Sequence, residues 1–173
     1  MYSPSNDFKL VGYSDSDWAG DTNDRKSITS FVFYMGDTTF TWTSKKQPIV
    51  TLSTCEAEYV VATSSVCHAI WLRNLLKELQ MLQDEAKKIF VDNKSTLALA
   101  KNPVFHDRNK HIDTRYHFIR ECIARKEVHL EFVKSHDQVA DILTKPLKYD
   151  TFNKLRALLG VIKKTSLRGN VRS

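Results

Sequence analysis

The sequence is poor in the residues that define several classes of protein. Its 173 residues include three cysteines, five glycines and four prolines. An odd number of cysteines without a C-x-x-C pair argues against a disulfide scaffold and favours a reducing compartment. So few glycines and prolines exclude collagen-like and linker-like chains. We therefore interpret Cys55, Cys67 and Cys122 as small buried hydrophobic residues.

Long apolar runs and a targeting segment are also missing. No stretch approaches the roughly 18 consecutive apolar residues that a membrane-spanning helix needs, so we expect no membrane partner. The first ten residues, MYSPSNDFKL, have neither the basic region nor the apolar region of a secretory signal. We therefore expect a protein that is not secreted.

Charge is distributed unevenly along the chain. The net charge is +6, yet residues 144–173 carry eight basic side chains and one acid, whereas residues 1–143 carry 18 basic and 19 acidic side chains. A basic terminal segment suggests a polyanionic partner such as a nucleic acid. A solvated tail without a partner is the alternative that charge alone leaves open.

The spacing of apolar residues predicts three strands followed by alternating helices and strands. Alternation and turn signals predict strands at 8–15, 31–35, 39–43, 89–91 and 128–133. Helical spacing predicts helices at 53–79, 94–101, 111–126, 137–144 and 152–159. This order predicts an α/β fold with one five-stranded mixed sheet flanked by helices. We expect a short lead at 1–7, one domain at 8–145, and a basic helix and tail at 146–173.

The long helix has a predicted start and a predicted buried face. Ser53 and Glu56 form an S-x-x-E capping box, in which the Glu56 side chain reaches back to the backbone N–H of Ser53. Residues of the buried face then recur every three or four positions, at Ala62, Val66, Ala69, Leu72, Leu76 and Leu79. Glu58 lies four residues before Ala62 and continues this face toward the sheet.

Four acidic residues occupy positions that a structural role explains poorly. Asp15 ends the first strand, Asp92 ends a short apolar strand, Glu58 lies on the buried helix face, and Asp141 lies among apolar residues. Carboxylates that converge at one sheet edge need a counter-charge, and Mg²⁺ prefers oxygen ligands. Two such ions about 3.5–4 Å apart would activate water and stabilise the leaving oxygen of a phosphodiester. A surface charge, or a helix N-cap for Asp92, is the alternative for each acid taken alone.

Several blocks of sequence follow one another in an order typical of a known family. They are YSDSDWAGD (13–21), RKS (25–27), WTSKKQ (42–47), LSTCEAEY (52–59), WLR (71–73), VDNKS (91–95), KHID (110–113), YHFIRE (116–121) and DQVADILTK (137–145). Together they resemble the ribonuclease H domain of copia-type long-terminal-repeat retrotransposon Pol polyproteins. The resemblance extends over nearly the whole chain.

This resemblance implies a ribonuclease H fold and an endonuclease that cuts the RNA strand of an RNA–DNA hybrid. It implies Asp15, Glu58, Asp92 and Asp141 as catalytic ligands of two Mg²⁺ ions, with Mn²⁺ as a possible substitute. The implied partners are the hybrid and the reverse transcriptase portion of the parent polyprotein. The implied location is the cytoplasm, within a virus-like particle, or the nucleus. A catalytically silent nucleic-acid-binding relic of the same domain is the alternative.

Further candidate residues are one histidine, one serine and four basic side chains. His136 lies near the place where distant ribonucleases H carry a mobile histidine that aids proton transfer or product release, and an exposed loop histidine is the alternative. Ser30 stands where family members often carry glycine, which we expect to affect fit rather than chemistry. The residues that we expect to contact nucleic-acid phosphates are Lys110, Arg115, Arg120 and Lys145.

Aromatic and histidine residues carry weaker signals. Trp18 and Trp42 could stack on substrate bases, although core packing is the favoured interpretation for Trp42. A zinc site would have to take its ligands from His106, His111, His117 and Cys122. Their spacing matches no closed tetrahedral pattern, so we expect these histidines to lie at the surface and at helix edges.

Overall fold

The computed structural model describes residues 9–81, 83–101 and 113–161, and within these ranges five strands and four α-helices follow one another. The strands are β1 (Leu10–Asp17), β2 (Ile28–Met35), β3 (Thr38–Lys46), β4 (Lys87–Val91) and β5 (Val128–Phe132). The α-helices are α1 (Thr54–Glu78), α2 (Lys94–Lys101), α3 (Asp113–Ala124) and α4 (Tyr149–Leu158). Two 3-10 helices, Ser135–Asp137 and Val139–Leu143, replace the single short helix predicted at 137–144.

The strands form one mixed sheet with the order β3-β2-β1-β4-β5. The first three strands pair antiparallel, whereas β4 pairs parallel to β1 and β5 parallel to β4. The predicted five-stranded mixed sheet with flanking helices is confirmed. Because β1, β4 and β5 run in the same direction, their carboxyl ends lie at one edge of the sheet. This edge receives Asp15 from β1 and Asp92 from the residue after β4.

The helix α1 packs its small and apolar face against one face of the sheet. The predicted buried positions from Ala62 to Leu76 are each at most 1% exposed. Leu79 is 61% exposed, so its predicted burial is wrong, because α1 ends at Glu78 and Leu79 is only the C-cap. A Cβ atom at Gly12 of β1 would lie 2.6 Å from the Phe33 ring of β2, so this close packing requires glycine.

The start of α1 agrees with the predicted capping box in most respects. Ser53 is the N-cap, and its hydroxyl oxygen accepts a hydrogen bond from the N–H of Glu56 at 3.2 Å. The carboxylate of Glu56 accepts a hydrogen bond from the N–H of Leu52 at 2.7 Å, one residue before the predicted donor. Glu56 therefore serves the end of its own helix, as its spacing from Ser53 predicts.

The helix α4 lies within the predicted C-terminal segment and packs against the sheet. The hydroxyl of Tyr34 donates a hydrogen bond to the Leu158 carbonyl at 3.2 Å, and the hydroxyl of Thr39 donates to the Leu159 carbonyl at 3.0 Å. Leu155 is completely buried. Gly160, with φ of +74°, closes α4 as predicted, because a left-handed residue lets the chain turn away from the helix.

Two further predictions about burial are wrong. Trp42 is 60% exposed, because β3 is the edge strand of the sheet rather than an interior strand. Cys67 is exposed and Cys55 is half-buried, and only Cys122 of the three free thiols is buried as expected. Cys67 follows Val66 of the buried face and therefore points away from the sheet. Among the described residues, no helix has the length and apolar character needed to cross a membrane.

Candidate active site

Three of the predicted acids meet where β1 and β4 end. Asp15 lies in β1, Asp92 directly follows β4, and Glu58 lies near the start of α1. One carboxylate oxygen from each lies within 4.8 Å of the other two. Asp15 and Glu58 are buried, whereas Asp92 is partly exposed. Among the residues that the structure describes, this is the only group of three or more potential metal ligands.

Glu58 is held by the backbone of β1 and keeps one oxygen available. Its first carboxylate oxygen accepts a hydrogen bond from the N–H of Ser16 at 2.9 Å. The second oxygen is buried and has no hydrogen-bond partner. A buried carboxylate oxygen without a donor is costly unless a cation compensates its charge. The unpartnered oxygen of Glu58 is therefore the feature of the cluster that most strongly indicates a bound cation.

Asp92 does not act as a helix cap, which was the alternative for this residue. The side chain of Asn93 caps α2 instead, accepting hydrogen bonds from the N–H groups of Ser95 at 2.9 Å and Thr96 at 3.2 Å. The carboxylate of Asp92 accepts a hydrogen bond from the hydroxyl of Ser135 at 3.0 Å. Asp92 therefore does not cap α2, and its carboxylate lies close to those of Asp15 and Glu58.

Asp141 adjoins this cluster from the second 3-10 helix. The Lys145 Nζ atom lies 3.0 Å from Asp141 Oδ1 and 3.6 Å from Asp15 Oδ2, so one ammonium group bridges two carboxylates. The Thr144 hydroxyl donates a hydrogen bond to Asp15. Lys145, which the sequence predicts to contact phosphates, lies at the acids in this structure.

Burial and mutual repulsion raise the pKa values of three of these acids. Burial raises the pKa of Glu58 well above its ordinary value, and the charges of Asp15 and Asp92 raise it further. Burial also raises the pKa of Asp92, with a contribution from Asp15. Burial and the charge of Asp15 raise the pKa of Asp141 to about 7, against the opposing effect of Lys145. A raised pKa means that a carboxyl group favours either a bound proton or a compensating cation.

The chemistry of the donor set fits a hard divalent cation. The cluster consists of carboxylate oxygens, without histidine or cysteine atoms among its described members. Oxygen-only sites suit Mg²⁺ and Mn²⁺, whereas thiolate and imidazole ligands suit zinc. For the alternative zinc site, His106 and His111 lie outside the described residues, and Cys122 is buried in α3.

Solved structures with a similar fold include several ribonuclease H proteins. The N-terminal RNase H domain of rv2228c from Mycobacterium tuberculosis has a TM-score of 0.58 at 15% identity, covering 87% of this chain and 97% of that chain. LC11-RNase H1 in complex with an RNA/DNA hybrid has a TM-score of 0.56 at 14% identity, covering 79% and 94%. The protease-reverse transcriptase of prototype foamy virus has a TM-score of 0.54 at 14% identity, covering 92% and 21%.

Proteins of similar sequence are retrotransposon Pol polyproteins. The chain is 41% identical over 158 residues to the retrovirus-related Pol polyprotein from transposon RE2 of Arabidopsis thaliana, which covers 91% of this chain. It is 40% identical over 152 residues to the corresponding polyprotein from transposon TNT 1-94 of Nicotiana tabacum, covering 88%. The chain is homologous to copia-type Pol polyproteins, and it has the ribonuclease H fold. It spans 11% of the length of each of these two relatives, and no family model matches it.

In this domain, His136 lies on the exposed 3-10 helix Ser135–Asp137. It directly follows Ser135, which donates to Asp92. Its Nε2 atom lies 2.8 Å from Asp137 Oδ2, and its side chain is 61% exposed. Lys154 of α4 anchors this turn, donating to the His136 carbonyl at 3.0 Å and to the Asp137 carboxylate at 2.7 Å. The predicted role of His136 in proton transfer or product release stays a prediction.

Among the other residues predicted to contact nucleic acid, those that the structure describes lie in α3 and directly after β1. Lys110 lies outside the described residues. Arg115 and Arg120 lie in α3. Arg115 is close to Cys67 of α1: burial raises the pKa of that thiol, and the Arg115 charge opposes the increase. Trp18 is 42% exposed, and its indole N–H donates to the Thr51 carbonyl at 3.1 Å. Contact of these residues with nucleic acid stays a prediction.

Sequence reasoning missed several side chains that hold the acids in place. Thr144 contacts Asp15 across 129 residues. Ser135 contacts Asp92 across 43 residues, and the Gln138 side chain contacts β1 across 124 residues. No local pattern marks such residues, because their partners come together only when the sheet forms.

Proposed function

We propose that this domain is an endonuclease that hydrolyses the RNA strand of RNA–DNA hybrids. The observation that carries the proposal is the convergence of Asp15, Glu58 and Asp92 within 4.8 Å at the carboxyl edge of parallel strands. Asp141 adjoins them through Lys145. The substrate class is supported by the LC11-RNase H1 neighbour, which was solved in complex with an RNA/DNA hybrid.

The proposed cofactor is a pair of divalent metal ions, Mg²⁺ or Mn²⁺. Asp15, Glu58, Asp92 and Asp141 would hold them. When bound, such ions supply an activated water and a positive charge for the leaving oxygen of the phosphodiester. The buried second oxygen of Glu58 and the raised pKa values of three acids support this cofactor class, because both features are relieved by positive charge.

Backbone and side-chain groups of this domain would orient the acids and transfer protons. The Ser16 N–H orients Glu58, the Ser135 hydroxyl orients Asp92, and Thr144 orients Asp15. Lys145 supplies the positive charge next to Asp15 and Asp141, and its side chain is 34% exposed. It is therefore also able to reach a substrate phosphate from this position. His136 is exposed and held by Asp137, which suits the transfer of a proton to or from solvent.

The proposed protein partner is the reverse transcriptase portion of the same polyprotein. The domain accounts for 11% of the length of its Pol polyprotein relatives. One of its structural neighbours is a protease-reverse transcriptase chain, of which the match covers 21%. We propose that this chain acts in the cytoplasm, within a virus-like particle, or in the nucleus.

Two neighbouring glutamates of α1 provide the test of the proposed activity. Glu58→Gln removes a metal-facing charge, so we expect cleavage of a labelled RNA–DNA hybrid in Mg²⁺ to fall by at least about 10²-fold. Glu56→Gln retains an oxygen that accepts from the Leu52 N–H, so cleavage should stay within about threefold of the original chain. EDTA should abolish cleavage by the unchanged chain.

The outcomes of this assay separate the alternatives. Tight hybrid binding without Mg²⁺-dependent cutting by the unchanged chain would identify the silent relic rather than the nuclease. An inactive Glu56→Gln variant together with an active Glu58→Gln variant would show that the wrong glutamate has been assigned to the metal.

A further inference from the structure

A buried amide connects the backbones of β1 and β4 at the point where these strands separate. Gln138 is completely buried. Its Nε2 atom donates a hydrogen bond to the carbonyl oxygen of Ser14 at 2.9 Å and lies 3.5 Å from the carbonyl oxygen of Phe90. The β1–β4 pairing ends at Tyr13 and Phe90. The amide therefore connects β1 and β4 just beyond their last paired residues, where the two backbones separate on the way to the site.

The same amide fixes the start of the 3-10 helix that carries Asp141. Gln138 is the N-cap of that helix, and its side-chain oxygen accepts a hydrogen bond from the N–H of Ala140 at 3.4 Å. Its backbone carbonyl accepts a hydrogen bond from the N–H of Asp141 at 3.2 Å. The helix is also bound to β2, which neighbours β1 on the side away from β4, since the Ser30 hydroxyl donates to the Ala140 carbonyl at 3.3 Å.

The residues that Gln138 contacts all lie within two positions of a site carboxylate. Ser14 directly precedes Asp15, Ala140 directly precedes Asp141, and Phe90 lies two residues before Asp92. One planar group thus sets the distances between three backbone segments that each present an acid. A displacement of any of these segments would move a carboxylate relative to the other two, without changing any carboxylate itself.

We propose that Gln138 is a positioning residue that holds Asp15, Asp92 and Asp141 at the spacing required to bind divalent metal. This inference rests on the proposed function, because it assumes that these acids are metal ligands. Residues that position metal ligands without binding the metal themselves typically contribute about 10–100-fold to metal affinity. A purely structural role for Gln138, filling space and satisfying buried backbone groups, would alter stability but leave the affinity of the folded protein unchanged.

The test measures metal binding by the folded chain rather than cleavage. In Gln138→Met the side chain keeps a similar length but loses both donors and the acceptor. We expect Mn²⁺ affinity, measured by titration with electron paramagnetic resonance detection, to fall about 10–100-fold. Gln138→Asn keeps an amide and a good N-cap but is one methylene shorter, so we expect an intermediate loss. If Gln138→Met does not fold, the Mn²⁺ affinity of Gln138→Asn still tests the proposal.

The control is a destabilising substitution away from the acids. Ile119 is completely buried in α3, and Ile119→Ala removes core contacts without touching the site. We expect this variant to melt at a lower temperature in EDTA and to bind Mn²⁺ with the original affinity. All titrations are made below the onset of melting of each variant, so that loss of folding does not enter the measured affinity.

Three results would overturn part or all of this account. Absence of Mn²⁺ binding by the unchanged chain would overturn the proposed metal cofactor, and the inference with it. Binding by the unchanged chain with equal affinity in both Gln138 variants would overturn the positioning role alone. An equal loss of affinity in Ile119→Ala would show that Gln138 acts only through stability.

Discussion

Two effects favour the neutral, protonated form of the acids at this site. Burial removes hydration from Glu58 and Asp141, and the neighbouring charge of Asp15 repels a second negative charge. Lys145 opposes this repulsion from 3.0 Å at Asp141. A carboxyl group whose pKa is raised by folding binds protons more tightly in the folded chain than in the unfolded one. It stabilises the fold at low pH, and this contribution is lost as pH rises through the raised pKa.

A pH series in EDTA tests this residue-level account. Glu58→Gln imitates the neutral acid and retains an oxygen for the Ser16 N–H. We expect its melting temperature to exceed that of the original chain by several degrees at pH 8, and by much less at pH 5. Asp141→Asn should show the same trend, with the change centred near pH 7. An advantage that is the same at both pH values would contradict the raised pKa.

At the scale of the element, α1 shows how a local signal places a functional group. The N-cap at Ser53 sets where the helix begins, and the 3.6-residue period then determines which side of the helix Glu58 occupies. Glu56 and Glu58 are both buried, yet one serves the helix end and the other faces the aspartates. Their different roles follow from a rotation of about 200° between positions two residues apart on a helix.

The N-cap Ser53 and the helical Ser64 test the importance of the start of α1. Ser53→Ala removes the hydroxyl that accepts from the Glu56 N–H, and we expect it to lower the free energy of unfolding by about 0.5–2 kcal/mol. Ser64→Ala is the matched control, since that hydroxyl only donates to the Val60 carbonyl within the helix at 3.2 Å. It should change stability by less than about 0.5 kcal/mol. Urea denaturation of both variants measures the difference, and equal losses would contradict the capping role.

At the scale of the whole molecule, charge is separated along the chain. The acids of the site are gathered at one sheet edge, whereas four basic residues follow the end of α4 in the sequence, at Lys163, Lys164, Arg168 and Arg172. The net charge of +6 thus combines a locally acidic site with basic segments elsewhere. Such a distribution suits a protein that attracts a polyanion broadly and binds cations at one point.

The salt dependence of hybrid binding tests this separation. We expect affinity to fall as salt increases, by a log–log slope of roughly 0.7–0.9 for each phosphate contact. Removal of residues 162–173 should make this slope shallower and leave cleavage at saturating hybrid largely intact, because the four acids lie upstream.

Lys9→Gln is the control for this truncation. Lys9 lies beside the start of β1, at the opposite end of the strand from Asp15, and pairs with Glu85 at 3.6 Å. We expect the slope to stay unchanged in this variant. An affinity that is unaffected between low and moderate salt would contradict phosphate contacts by the basic residues.

The order of the elements was predictable from the sequence because it depends on local patterns, and the same patterns singled out the four acids as poorly explained by a structural role. Alternation marked the strands, and the S-x-x-E signal with helical spacing placed Glu58 on the buried face of α1. The copia-type sequence blocks then indicated the same four acids. The exposure of Trp42 was mispredicted, because burial of a strand residue depends on whether its strand lies at the sheet edge.

Only the tertiary structure decided how the acids are held. The bond from Gln138 to Ser14 spans 124 residues, and the bond from Ser135 to Asp92 spans 43. Lys145 lies between Asp15 and Asp141 because the second 3-10 helix packs near the end of β1. Local propensity extends over a few residues, so the sequence by itself determined which elements form and which acids are poorly explained as structural. Distances between those acids depend on strand order and on buried side-chain contacts, which arise only when the sheet and its helices assemble.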